Sequence, residues 1–142
     1  MLEIKGLAEV EARLGQLSRS RDGLSLTFTR FQAIRECHLS EQDCEGHARP
    51  RFDLVVESTL QPSTCRMRII LWGAQSLSMK QISVGSTTSG LEIRDISNRH
   101  WQNRSWELKD YENDLIHCYA EEVEILLEPS GKSATPSTGG SG

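Results

Sequence analysis

Residues 105–128, which read SWELKDYENDLIHCYAEEVEILLE, carry the clearest indication of the fold. Apolar and polar residues alternate in it, since charged residues follow Trp106 and Leu108, and Val123 and Ile125 enclose Glu124. A repeat of two residues is typical of a β-strand with one buried face. The stretch therefore predicts three closing strands, with a tight connection at residues 111–114 between the first two: residues 105–110, 116–119 and 123–127.

The same stretch is strongly acidic. It holds eight acidic residues and one lysine, whereas the other 118 residues hold 12 acidic and 15 basic residues. If the apolar side chains face inward, the carboxylates fall on exposed or turn positions and form a landing surface for a basic partner. The alternative interpretation is a solvated face that keeps the protein soluble and protects a sheet edge. The predicted partner-binding residues are Glu107, Tyr111, Glu112, Asp114, Glu122 and Glu124, with Tyr111 as the aromatic anchor.

The rest of the chain continues the β pattern. Apolar residues at positions 7, 10, 14 and 17 predict one face of a short amphipathic helix within residues 3–17. Residues 37–50 are polar, contain Gly46 and Pro50, and indicate a long surface loop. Further strands are predicted at residues 24–28, 52–56, 65–72, 77–84 and 91–94. The predicted fold is mainly β (α+β), an antiparallel sandwich or open barrel with a short N-terminal helix.

Length and composition predict one β-rich domain over residues 1–128. A chain of 142 residues has room for one substantial core. Residues 129–142, PSGKSATPSTGGSG, contain one apolar residue and predict a disordered Gly/Ser/Pro tail, because burial cannot offset the entropy of ordering them.

The net charge of −4 argues against a nucleic-acid binder, which presents a basic footprint. No run of 18 apolar residues predicts a membrane span, and the charged N-terminus does not resemble a secretory signal. The expected location is the cytoplasm, where the four cysteines stay reduced.

Candidate chemistry is sparse, and the chain is predicted to have no catalytic site, no metal and no cofactor. Cys37, His38, Cys44 and His47 are zinc-ligand types, but their spacing departs from that of zinc sites and favours a solvated loop. His117 and Cys118 are neighbours in a predicted strand, so their side chains point to opposite faces and do not form a nucleophile–base pair.

Two other functions compete with protein binding. A small-molecule-binding β-barrel would use Trp72, Trp101 and Trp106 to line an apolar cavity. A structural role is the simpler interpretation of Trp101 and Trp106, because tryptophan side chains are usually mostly buried. An assembly subunit would pair an exposed edge strand across a two-fold axis.

The order of motifs resembles the immunity protein 50 family, a group of small β-rich antidotes from bacterial toxin systems. The resemblance begins with Arg21-Asp22-Gly23 and the strand that follows at residues 24–28. It continues through the strand at residues 67–72, Gly73 and Leu77, and ends with residues 110–112, 116–119 and 123–127. It spans residues 21–127.

The resemblance implies a cytosolic, non-catalytic antidote that binds a cognate toxin. An acidic antidote suits a basic toxin such as a nuclease, because its carboxylates stand in for the phosphates that the toxin binds. The predicted function is therefore an immunity protein that neutralises a basic toxin through the acidic C-terminal β surface. The sequence leaves the oligomeric state open.

Overall fold

The structure is a computed structural model that describes residues 3–28, 31–58, 66–80, 90–100, 102, 104–112 and 114–128, without the side chains of residues 32, 42 and 44. In this part of the chain one short helix precedes ten strands. The elements are α1 (Leu7–Leu14), β1 (Ser18–Arg19), β2 (Ser25–Thr27), β3 (Phe31–Cys44), β4 (His47–Ser58), β5 (Arg66–Trp72), β6 (Gln75–Met79), β7 (Leu91–Asp95), a 3-10 helix (Ser97–Arg99), β8 (Trp106–Asp110), β9 (Ile116–Ala120) and β10 (Glu122–Glu128).

The strands form two antiparallel sheets, and the predicted mainly β fold is confirmed. The four-stranded sheet has the order β10-β5-β4-β3, and the six-stranded sheet has the order β1-β2-β7-β8-β9-β6. One buried cluster contains Leu54 and Ile69 from the first sheet and Ile93 and Leu108 from the second. Apolar faces from two sheets therefore meet in a common core, as in a β-sandwich.

The two-residue repeat places the core. On β5, Met67, Ile69 and Leu71 are buried in the common cluster, whereas Arg68 and Trp72 face the other side of the sheet. On β10, Val123 and Ile125 are buried in the same way. Strand pairing brings β10 beside β5 with Glu124 opposite Ile70.

The helix α1 packs on the edge of β10, where Lys5 makes a parallel bridge to Glu124. Gly6 then turns the chain into the helix with a positive φ of 86°. A Cβ atom at this position would lie 1.9 Å from the carbonyl oxygen of Ile125, so the close approach requires glycine. The helix starts and ends inside the predicted range, and Gly15 follows its last residue.

The predicted surface loop at residues 37–50 is wrong. These residues belong to a long hairpin in which β3 and β4 pair as far as Cys44 and His47. Glu45 and Gly46 both have positive φ, which is the geometry of a two-residue hairpin turn. Arg51 is the first residue of β4 that pairs with β5, so the turn end of the hairpin, which precedes Arg51 on β4, projects past the edge of β5. Because its outer part has water on both sides, it carries no apolar alternation, and the sequence pattern could not show it.

The remaining strand predictions agree with the structure to different extents. The strands predicted at residues 52–56 and 65–72 are present in β4 and β5, which pair antiparallel from Arg51 with Trp72, and the three closing strands are present as β8, β9 and β10. The strand predicted at residues 77–84 is shifted to β6, and its positions 81–84 lie outside the described residues, as do Trp101 and the predicted tail. No helix in the described part of the chain is long and apolar enough to cross a membrane.

Candidate functional site

The six residues predicted to bind a partner are divided between the two sheets. Glu107 lies on β8 of the six-stranded sheet, and Tyr111, Glu112 and Asp114 follow in the connection from β8 to β9. Glu122 and Glu124 lie on β10 of the four-stranded sheet. The six side chains therefore do not form one surface. Glu107 stands apart, Glu122 and Glu124 share one face of β10, and Tyr111, Glu112 and Asp114 lie together in one connection.

Those three belong to a turn that a buried carboxylate holds in place. We call residues 110–112, 114 and 115 the tyrosine turn. The side chain of Asp110 is fully buried and accepts hydrogen bonds from the backbone N–H groups of Glu112 and Leu115, at 3.1 and 3.3 Å. The N–H of Tyr111 donates to the carbonyl of Gly90, which fixes the turn against the start of β7.

Tyr111 is the exposed feature of the tyrosine turn. It is 53% exposed, and Lys109 lies over its ring with Nζ 5.4 Å from the ring centre. Partial burial and a hydrogen bond to Glu92 raise the pKa of Tyr111 to about 12. The phenol therefore stays neutral at physiological pH, and its hydroxyl anchors the ring while one side remains open to solvent.

The two carboxylates beside Tyr111 are solvated. Asp114 lies 3.5 Å from Nζ of Lys80, but both side chains are about 60% exposed, so water screens the pair. Glu112 is exposed and makes no ion pair with any residue that the structure describes. The tyrosine turn therefore presents one aromatic ring and two acidic groups on a fixed backbone.

Glu107 departs from its predicted exposed position. It is only 9% exposed, and its Oε2 lies 2.7 Å from Nε2 of His117 on the neighbouring strand. The ring of His117 in turn meets the edge of Tyr119, with the ring centres 4.9 Å apart. This carboxylate is engaged inside the protein because β9 places an imidazole against it.

The acidic residues of β10 lie at one side of a network of charges that we call the arginine lattice. It occupies the face of the four-stranded sheet that points away from the core. Arg68 donates hydrogen bonds to Asp53, Glu36 and Glu128, which lie on three other strands. Its members are Arg35, Glu36, Arg49, Arg51, Asp53, Glu57, Arg66, Arg68, Glu121, Glu122 and Glu128.

Two carboxylates of the arginine lattice are buried. Asp53 accepts two hydrogen bonds from Arg51, at 2.7 and 2.8 Å, and a third from Arg68 at 2.6 Å. Burial alone would raise the pKa of Asp53, but these hydrogen bonds outweigh it and the pKa lies below its ordinary value. Glu57 is held in the same way between Arg35 and Arg66, with the same net lowering of its pKa.

The zinc hypothesis and the nucleophile hypothesis both concern thiols. Cys37 and His38 are neighbours on β3 and so point to opposite faces, and the described residues include no group of three or more metal-ligand side chains. Cys118 is buried while His117 faces Glu107, as the strand pattern predicted. Burial raises the pKa of Cys37, and it raises that of Cys118 to about 11, so neither thiol is an activated nucleophile.

The predicted tryptophan-lined cavity takes a different form. Trp106 is 7% exposed and belongs to the core cluster, as its strand position predicted. Trp72 lies on the opposite side of its sheet, where the guanidinium groups of Arg49 and Arg51 sit 5.6 and 5.0 Å from its ring centre. Trp72 and Trp106 both line a surface cleft of about 340 Å³, together with Val123 and five charged residues.

Sequence reasoning missed the arginine lattice and the stacking on Trp72. One signal was present, because Arg51 and Asp53 are two residues apart and share a face of any strand. Their partners on β5 could be identified only with the strand register, which the sequence does not specify. No protein-family model, no curated protein and no solved structure matches this chain.

Proposed function

We propose that this chain is a non-catalytic protein-binding module, an immunity protein that neutralises a basic toxin in the cytoplasm. The observation that carries the proposal is the tyrosine turn, in which Tyr111 is 53% exposed beside two solvated carboxylates. The motif order of residues 21–127 supports the same function through its resemblance to immunity protein 50.

The geometry of the tyrosine turn suits an affinity anchor. Tyrosine is among the residue types that dominate binding energy in protein interfaces, because it buries a large area with few rotatable bonds. Asp110 and Gly90 already hold the backbone in place, so little further entropy is lost when a partner binds. A ring on a fixed turn can therefore contribute most of its contact energy to affinity.

The charges of the tyrosine turn suit a basic partner. Glu112 and Asp114 carry negative charge at the ring, and solvated charges at the rim of an interface mainly accelerate association. A nuclease toxin offers the complementary surface, because its active site is built to attract phosphate. In this proposal Tyr111, Glu112 and Asp114 contact the toxin, while Glu107 and Glu122 contact His117 and Arg49 of their own protein.

The raised pKa values of the candidate thiol nucleophiles favour binding over catalysis. The pKa values of Cys37 and Cys118 are raised by burial, so their thiolates are scarce at neutral pH. His117, the partner of Glu107, lies on the same strand as Cys118 but points to the opposite face. These groups therefore do not assemble a nucleophile with a base.

The test is whether the product of a gene adjacent to this one is toxic to cells and is neutralised by this chain. Co-expression is expected to restore growth of cells that make the toxin, and the purified proteins are expected to bind each other. Tyr111→Ala should weaken binding by about 2 kcal/mol, roughly 30-fold, because it removes the anchor.

Leu39→Ala is the matched control, since Leu39 is 55% exposed but lies on the distant hairpin of β3 and β4. It should leave the dissociation constant within about twofold of the parent. Failure to protect cells, or equal affinities for the parent and Tyr111→Ala, would overturn the proposal.

A further inference from the structure

Trp72 and Trp106 line a surface cleft with defined chemistry, and we call it the tryptophan cleft. It has a volume of about 340 Å³ and lies between the last residue of β5, the first residues of β10, and Glu3 and Lys5, which precede α1. Trp72, Trp106 and Val123 supply its apolar lining. This volume is near the lower limit for ligand pockets, so the cleft suits a single side chain better than a large cofactor.

The charges around the tryptophan cleft favour a cation. Glu3, Glu122 and Glu124 line it together with Lys5 and Arg49. Arg49 neutralises Glu122 through a contact of 2.6 Å. Glu3 and Glu124 make no ion pair with any other residue in the described ranges, and they outnumber the remaining cation, Lys5. The lining residues are therefore net negative. The guanidinium groups of Arg49 and Arg51 already lie over the Trp72 ring, and the remaining negative charge favours a further positive group at the cleft.

Arg49 shows how this site holds a guanidinium. Its guanidinium lies 5.6 Å from the centre of the Trp72 ring and donates to Glu121 and Glu122 at 3.2 and 2.6 Å. Stacking on an indole face combined with carboxylate contacts is the general way in which proteins bind arginine side chains. Glu124, which accepts a hydrogen bond from the Trp72 indole at 3.4 Å, extends the same chemistry along the cleft.

Trp106 provides an independent observation. It lines the cleft and is 7% exposed. Its indole N–H donates no hydrogen bond to an acceptor in the part of the chain that the structure describes. Buried N–H groups are almost always paired. A ligand with a carbonyl oxygen beside its cationic group would supply the acceptor, and an amino-acid residue within a peptide has both.

We propose that the tryptophan cleft binds a basic side chain, an arginine or lysine of a protein partner. The identity of that partner rests on the proposed function, whereas the site itself does not. Trp106 is the first residue of the five-residue strand β8 and Tyr111 follows its last residue, so the two lie roughly 15 Å apart and the cleft and the tyrosine turn are separate contacts.

The experiment uses Nα-acetyl-arginine amide as the probe and the full chain as the receptor. The indole N–H resonances of Trp72 and Trp106, assigned with Trp72→Phe and Trp101→Phe, are followed by NMR during the titration. We expect both resonances to shift saturably, with a dissociation constant in the millimolar range. Nα-acetyl-citrulline amide, which has nearly the same shape without the charge, should not bind.

Glu124→Gln should weaken binding of the probe about two- to fivefold, because it removes one partly exposed charge and keeps the side-chain shape. Glu112→Gln, a matched change on the tyrosine turn, should leave it unchanged. Equal responses to the arginine and citrulline probes, or an unaltered affinity in Glu124→Gln, would overturn the cleft as a cation site.

The two proposals fail separately. If the probe binds but Tyr111→Ala does not affect toxin affinity, the cleft stands and the tyrosine turn is refuted. If toxin affinity depends on Tyr111 but the arginine probe does not bind, the cleft is refuted and the proposed function stands.

Discussion

The carboxylates of the tyrosine turn and those of the arginine lattice are chemically alike but stand in opposite surroundings. Asp114 is about 60% exposed and meets a single exposed lysine, whereas the side chain of Asp53 is 5% exposed and is held by two arginines. Asp114 is therefore available to a partner, whereas Asp53 is already held by contacts within the protein. The comparison shows that the acidic character of a sequence does not locate an interface, because burial and cationic neighbours decide which charges remain available.

The largest expected difference between the two regions is in stability. Asp53→Ala should lower the free energy of unfolding by about 3 kcal/mol, because it leaves Arg51 and Arg68 without their shared buried acceptor. Urea unfolding followed by circular dichroism measures the change. Glu112→Ala on the tyrosine turn is the control and should stay within about 0.5 kcal/mol of the parent. Equal losses in the two variants would remove the distinction between the regions.

The arginine lattice should also make the protein sensitive to acid. The pKa values of Asp53 and Glu57 lie below their ordinary values of 3.8 and 4.5 in the folded state. The unfolded chain takes up protons at these ordinary values while the folded carboxylates stay ionised, so acid favours unfolding. The stability that they contribute is complete above about pH 5 and is lost as the pH falls through the folded pKa values.

Melting temperatures measured from about pH 5 to about pH 2 test this dependence. Glu57→Gln removes one of the two groups and should give a shallower decline than the parent protein. Glu112→Gln should reproduce the parent curve, because Glu112 makes no ion pair among the described residues. A Glu57→Gln curve parallel to that of the parent would contradict the assignment.

The charges of the tyrosine turn should act on association rather than on stability. Glu112→Lys with Asp114→Lys should slow association with the toxin about tenfold at low salt and reduce its salt dependence. Glu41→Lys with Asp43→Lys changes the net charge equally on the distant hairpin, where both side chains are exposed. Stopped-flow rates that fall equally in both variants would assign the effect to net charge alone.

The smallest effect is expected for Lys80→Gln. The Lys80–Asp114 pair is exposed on both sides and 3.5 Å long, so its loss should change the free energy of unfolding by less than about 0.5 kcal/mol. Urea unfolding is again the measurement. A loss above about 1 kcal/mol would show that an exposed ion pair, and not the buried carboxylate of Asp110, holds the tyrosine turn in place.

Strands β5 and β10 could be predicted, because the face of each that packs into the core carries an apolar residue at every second position. On β5 the core face is Met67, Ile69 and Leu71, although Ile70 on the other face is also buried, and β10 repeats the core-face pattern beside it. The outer part of the hairpin of β3 and β4 has no buried face, so the sequence pattern predicts a loop there. The acidic site was predicted only in part, since Tyr111, Glu112 and Asp114 are neighbours in sequence whereas Glu122 and Glu124 are carried away to the other sheet.

The sequence by itself determined the β class, the inward positions of the core strands and the exposed tyrosine beside two acids, because all of these depend on residues within a few positions of one another. Which carboxylates have partners within the protein depends on the tertiary fold. Asp53 meets Arg68 across a strand register, and Glu107 meets His117 in the same way. Such contacts join residues that are distant along the chain, and the free energy of packing two sheets together fixes their register.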